Sequence, residues 1–122
     1  MSIIAVYGSL RKGEYNYERF GGDKSFAYKG TFNIPGFKLY SLGPYPAVIE
    51  GDKTDKLIVD ILETTKDIAK SINNMEVGAG YSAEEVMVDG QVATIYVYDH
   101  PIKETNRVLS GDWSKYITTG KV

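Results

Sequence analysis

Residues 3–13 read Ile3-Ile4-Ala5-Val6-Tyr7-Gly8-Ser9-Leu10-Arg11-Lys12-Gly13, a short apolar strand that runs straight into a glycine-bounded loop of polar groups. The run from Ile3 to Tyr7 is β-branched and nearly free of polar atoms, as a strand buried on both faces requires, and this places it at the centre of a sheet. Gly8 can adopt backbone angles closed to other residues, and its missing Cβ lets a ligand approach the main chain. Consecutive N–H groups converging on such a turn form a concavity for an anion or a developing oxyanion. A strand leaving a sheet through Gly-Ser is also a common plain turn. The loop fits neither G-x-x-x-x-G-K-[ST] nor G-x-G-x-x-G, which excludes the two familiar phosphate loops.

The 122 residues make one domain, 1–122, so a site must lie within it or between subunits. A net charge of −2 argues against the broad basic surface that nucleic-acid binding needs. No apolar run reaches the ~20 residues of a membrane span, and Met1-Ser2-Ile3 lacks the charged start of a signal peptide, so a cytoplasmic protein with no membrane partner is expected. There is no cysteine, which removes disulfides, thiol nucleophiles and thiolate metal sites. His100 is the only histidine; between Asp99 and Pro101 it reads as a turn residue, with a Ser-His pair as the alternative.

Along the chain, Glu14 to Phe20 suits a short helix stopped by Gly21-Gly22, with Asn16 near its start to hold the loop shut or meet a ligand. Ser25–Thr31 and Gly36–Leu42 read as strands around a turn at Asn33-Ile34-Pro35-Gly36. Gly43-Pro44-Tyr45-Pro46 is a rigid corner leading to the strand Ala47–Ile49, and Tyr45 either lines a pocket or packs beneath that corner. Lys56–Leu62 reads as a core strand. Thr64 and Thr65 can cap a helix from about Thr65 to Asn74, whose stripe is Ile68, Ile72 and Met75 and whose end is marked by Asn73-Asn74.

Glu76 follows directly, before the small residues Val77-Gly78-Ala79-Gly80 and then Tyr81. Without a neighbouring charge, a carboxylate turned inward there is desolvated and its pKa rises toward neutrality, making it a usable base; turned outward, it is an ordinary surface acid. Ser82–Val88 and Gln91–Tyr98 flank Asp89-Gly90, the strongest hairpin signal in the chain. From Pro101 to Val122 the pattern is less regular, and Trp113 is the expected anchor of that segment.

In order along the chain, Tyr7-Gly8-Ser9-Leu10 with Gly13 and Asn16, Gly43-Pro44-Tyr45-Pro46-Ala47, the helix end Met75-Glu76 with Tyr81, Tyr96-Val97-Tyr98, and Gly111-Asp112-Trp113 resemble the gamma-glutamylcyclotransferase-like family over nearly the full length. The resemblance implies an α+β fold, a small mixed β-barrel with flanking helices. It implies a pocket with Tyr7, Gly8, Ser9 and Leu10 on one side, Glu76 as proton shuttle on the other, and Tyr81 shaping the wall.

The implied reaction is cleavage of a small γ-glutamyl amide with release of 5-oxoproline. The substrate's own amine attacks its γ-carbonyl, so no enzyme nucleophile, metal or cofactor is called for. Many relatives carry an arginine after the pocket tyrosine, whereas Ser82-Ala83 stand here, so the substrate stays open. Two rival readings remain: a non-catalytic module that sequesters a small anionic or nucleotide-like metabolite in the same pocket, and a protein-interaction domain presenting tyrosines.

Overall fold

The computed structural model describes residues 1–120; Lys121 and Val122, the end of the irregular C-terminal stretch, lie outside the described residues. The opening strand β1 (Ser2–Val6) is central, with Ile4, Ala5, Val6 and Tyr7 each no more than 6% exposed. It pairs antiparallel with β5 (Lys56–Thr64) and parallel with β7 (Gln91–Tyr98). The edges are β2 (Ala27–Pro35) and β6 (Tyr81–Val88), giving the order β2-β5-β1-β7-β6.

A second, two-stranded sheet is formed by β3 (Phe37–Ser41) and β4 (Pro46–Glu50). Its Leu39 and Val48 join Leu57, Val59, Ile61, Ile95 and Trp113 in a core on one face of the large sheet. The ribbon is thus laid over that face by side-chain packing rather than stitched into the ladder, and the strands do not form the closed barrel that the family resemblance implied. On the opposite face, Ile4, Val6 and Leu62 pack with Tyr17 of α1 (Tyr15–Arg19) and Ile72 of α2 (Lys66–Gly78). The α+β class holds, with helices against the sheet.

Several boundaries differ from those expected. β2 continues through Asn33, Ile34 and Pro35, and the chain turns only at Gly36, whose φ is 96°. As an edge strand it tolerates Pro35, which needs a ladder partner on one side only. β3 does not pair with it but starts the second sheet. Thr65 caps α2, accepting a hydrogen bond from the Ile68 N–H, whereas Thr64 is buried in β5 and donates to the Ser25 carbonyl. The helix passes through Asn73-Asn74 to Gly78, because Asn73 Oδ1 accepts from the Tyr96 hydroxyl at 3.0 Å and Met75 packs on the core. Asp89 and Gly90 have φ of 50° and 79°, both left-handed, as a two-residue hairpin of this twist demands.

One buried acid fastens the loop that leaves β1. Asp60 is opposite Val6, the last residue of β1, and is 3% exposed. Its carboxylate accepts the Lys12 N–H at 2.9 Å and the Thr31 hydroxyl at 2.7 Å. Arg11 Nε lies 3.3 Å away, an ion pair without a directed hydrogen bond, while Arg11 Nη1 reaches Asp112 at 3.1 Å. Asp112 caps α3 (Trp113–Thr119) through the Lys115 N–H. The loop is therefore tied both to the sheet below it and to the C-terminal helix.

Removing one partner from a buried charge cluster leaves the others unpaired. Asp60→Ala is expected to lower the unfolding free energy by about 2–4 kcal/mol in a urea titration. Gly111→Ala is expected to destabilise by about 3 kcal/mol, because the residue sits at a φ of 68° and an added Cβ would lie 2.1 Å from the Lys56 carbonyl oxygen. Melting temperatures of the purified variants check both.

Candidate active site

A cavity of about 260 Å³ opens where the end of β1 meets the end of α2, room for one small molecule. Its floor is Ala5, Val6 and Tyr7, and Gly8, Ser9, Leu10 and Asn16 make one wall. Met75, Glu76 and Ala79 contribute the end of α2 to the lining, Leu42, Tyr45 and Pro46 the corner before β4, and Tyr81, Tyr96 and Tyr98 complete it. Every site residue expected from the sequence therefore borders this one space. Tyr45, 64% exposed, lines it rather than packing beneath its corner. His100 is an exposed bend residue outside the lining, its ring edge-on to Tyr98 at 5.3 Å.

The loop wall is held open toward the cavity by its own bonds. The Gly8 carbonyl accepts the Arg11 N–H at 3.0 Å, and the Ser9 carbonyl accepts both Asn16 N–H and Tyr17 N–H, at 2.9 and 3.1 Å. Among the described residues, the N–H groups of Gly8, Ser9 and Leu10 have no backbone acceptor in these turns. Such a run of amides is a ready cradle for negative charge. Gly8 has no left-handed φ; its necessity is steric, since a Cβ there would stand 2.7 Å from Pro46 Cγ. The close approach foreseen for a ligand is made by the proline of the rigid corner.

Glu76, which lines the same space, sits in the last turn of α2, not after the helix as the Asn-Asn pair suggested. Burial alone pushes its carboxyl up to about 7, since no cation stands among the lining residues to favour the ionised form. Its charge is felt by the tyrosines around it. Tyr7 and Tyr81 are raised by burial first and then by nearby negative charge that includes Glu76, and Tyr96 is raised by burial and by Glu76. These hydroxyls stay protonated and act as fixed struts. Tyr7 donates to the Tyr96 carbonyl at 2.7 Å, Tyr81 to the Pro46 carbonyl at 2.5 Å, and Tyr96 to Asn73.

Sequence reasoning missed Asp60, which lies outside the cavity lining but holds the loop at Arg11 and Lys12. The available signal was a lone carboxylate between Val59 and Ile61 in a strand otherwise destined for the core. It also passed over Leu42 and Ala79 as wall residues. Among the described residues, no group of three or more His, Cys, Asp or Glu is placed to hold a metal ion, and no helix is long and apolar enough to cross a membrane.

Comparison with known proteins agrees with this geometry. The family model described as Gamma-glutamyl cyclotransferase, AIG2-like matches residues 4–115. PH0828 of Pyrococcus horikoshii is 33% identical over 113 residues, 92% of this chain and 90% of that protein. The gamma-glutamylcyclotransferase family protein YtfP of Escherichia coli is 28% identical over 111 residues, 90% of this chain and 94% of its own length. The crystal structure of PH0828 superposes with a TM-score of 0.83 at 29% identity, covering 98% of this chain and 96% of that one. The solution structure of the Escherichia coli protein gives 0.71 at 25% identity, covering 91% and 95%. The family match spans from β1 into α3, and the chain belongs to the gamma-glutamyl cyclotransferase, AIG2-like family.

Proposed function

We propose that the protein cleaves a small γ-glutamyl amide by intramolecular cyclisation, releasing 5-oxoproline and a free amine. The observation that supports this reading is that Glu76 and the loop Gly8–Leu10 line one cavity. In this scheme the ionised Glu76 takes a proton from the substrate's α-ammonium. The freed nitrogen attacks the γ-carbonyl carbon, forming the ring C–N bond, and the carbonyl oxygen becomes an oxyanion facing the loop amides. The ring nitrogen gives its second proton to water, and Glu76 passes its own to the departing nitrogen as the original amide C–N bond breaks and the oxyanion collapses to the lactam carbonyl. The amine leaves and takes up a further proton from water, so that the enzyme ends as it began.

A carboxyl whose pKa is about 7 can both accept and return a proton near neutral pH, where an ordinary glutamate is a poor acid. The tyrosine-lined, cation-free wall supplies an apolar surround in which the loop's N–H dipoles act more strongly than they would in water.

Incubation with a panel of γ-glutamyl dipeptides and γ-glutamyl-lysine, with 5-oxoproline as readout, tests the reading. Turnover of at least one member is expected, with kcat reduced on the order of 10²-fold or more in Glu76→Gln. Activity that survives the substitution unchanged rules the mechanism out. Tight binding of an anionic metabolite without turnover of any amide would favour the sequestering module instead. The free-enzyme profile of kcat/KM is expected to rise with pH through an inflection near 7, as Glu76 ionises.

The same carboxyl has a signature in stability. Its folded pKa lies above the unfolded value of 4.5, so the folded state binds more protons between the two, and stability is lost as pH rises through that window. Glu76→Gln removes this dependence. The variant's stability relative to the wild type is expected to grow by about 2–3 kcal/mol between pH 5 and pH 8, measured by denaturant titration at each pH.

A further inference from the structure

Ser9 and Asn16 both border the cavity, and the Asn16 side-chain N–H (Nδ2) donates to Ser9 Oγ at 2.7 Å. A serine hydroxyl has one proton to give and two lone pairs with which to accept. With one lone pair taken by the amide, its proton needs an acceptor of its own. Serine normally finds one in a neighbouring carbonyl, but among the described residues Ser9 Oγ donates to no protein acceptor; the Ser9 carbonyl is filled by two N–H groups, and the Gly8 carbonyl is engaged by the Arg11 N–H.

The tyrosine hydroxyls around the cavity reinforce the point. Tyr7, Tyr81 and Tyr96 all direct their protons to protein acceptors, the Tyr96 carbonyl, the Pro46 carbonyl and Asn73 Oδ1. The lining holds no lysine, arginine or histidine. A carboxylate entering the space has therefore to be met by uncharged donors; three of the five tyrosine hydroxyls in the lining are already committed, and of the lining hydroxyls only that of Ser9 belongs to the Gly8–Leu10 loop.

We propose that Asn16 is a positioning residue that fixes Ser9 as a hydrogen-bond donor into the cavity, where the Ser9 hydroxyl holds the carboxylate of the bound molecule beside the loop amides. The amide fixes the sense of the hydroxyl; without it, the hydroxyl is free to rotate and to present a lone pair to the cavity instead of its proton. This goes beyond the cyclotransferase reading in assigning side-chain roles, and it rests on that reading only for the ligand, since a γ-glutamyl substrate and 5-oxoproline each carry the carboxylate in question.

The test is a double-mutant cycle with 5-oxoproline as the probe, its dissociation constant measured by calorimetry on the wild type, Ser9→Ala, Asn16→Leu and the double variant. Melting temperatures accompany each measurement. Ser9→Ala is expected to weaken binding about tenfold or more, the loss of one hydrogen bond to a charged group. Asn16→Leu is expected to weaken it about 3- to 10-fold alone and to add no further loss once Ser9→Ala is present, because its effect passes through that hydroxyl. Where an amide is turned over, KM follows the same pattern.

Asn16→Leu multiplying the Ser9→Ala loss in full would show a structural role for the asparagine and overturn the proposal. So would an unchanged dissociation constant in Ser9→Ala, or a wild type that does not bind 5-oxoproline. Failure of the cyclotransferase reading looks different: no amide is turned over, yet 5-oxoproline binds and the two substitutions remain coupled.

Discussion

The carboxylate of Asp60 is the fixed point of this molecule. It projects from a strand whose neighbours are core residues, and it accepts from the Lys12 N–H and the Thr31 hydroxyl while pairing with Arg11. A buried acid is tolerated only where donors and a cation meet it. Here the cation and one of the two donors come from the loop that leaves the central strand, the other donor being Thr31 of β2, so satisfying the acid and shaping the loop are the same event. Arg11 carries the constraint onward to Asp112, so the first turn of α3 and the loop after β1 share one network.

Glu76 is the counterpart, an acid deprived of partners. The two carboxyls lie on the same side of the large sheet, and their environments push them to opposite chemical uses. Asp60 is held by protein donors and serves architecture. Glu76, at the end of α2 among apolar and phenolic walls, lacks compensation for its charge and so keeps its proton to near neutrality. The helix is extended to bring it there by contacts near its end, the Tyr96 to Asn73 hydrogen bond and the packing of Met75. Rigid hydroxyl struts between the tyrosines and the backbone then keep the walls apart.

Much of this was legible in the residues. β1 was readable as central because an unbroken apolar run leaves no face for water, and the Asp89-Gly90 hairpin because two consecutive left-handed residues suit few other structures. The loop and Glu76 were each ambiguous by local chemistry and acquired meaning only as an ordered pair. What could not be read was set by tertiary contacts. The end of α2 depended on Tyr96, some twenty residues further on, and the course of β2 through Pro35 depended on its being an edge. Asp60 was hidden because a single polar residue in a strand resembles ordinary alternation until its partners, far away in sequence, are known. Closure of the sheet into a barrel was expected from resemblance alone, and the β3–β4 ribbon packs over one face without completing the ladder.

The central position of β1 has a consequence for how the chain acquires its shape. One neighbour, β5, lies at residues 56–64 and the other, β7, at residues 91–98, so β1 lacks one flank until residue 64 has been made and the other until residue 98. Contacts so distant in sequence slow the search for the native arrangement. During synthesis the apolar segment 3–7 remains an unpaired, aggregation-prone edge. The cavity wall hangs from that strand and can take form only when the sheet is finished, which couples the appearance of a binding-competent pocket to completion of the fold.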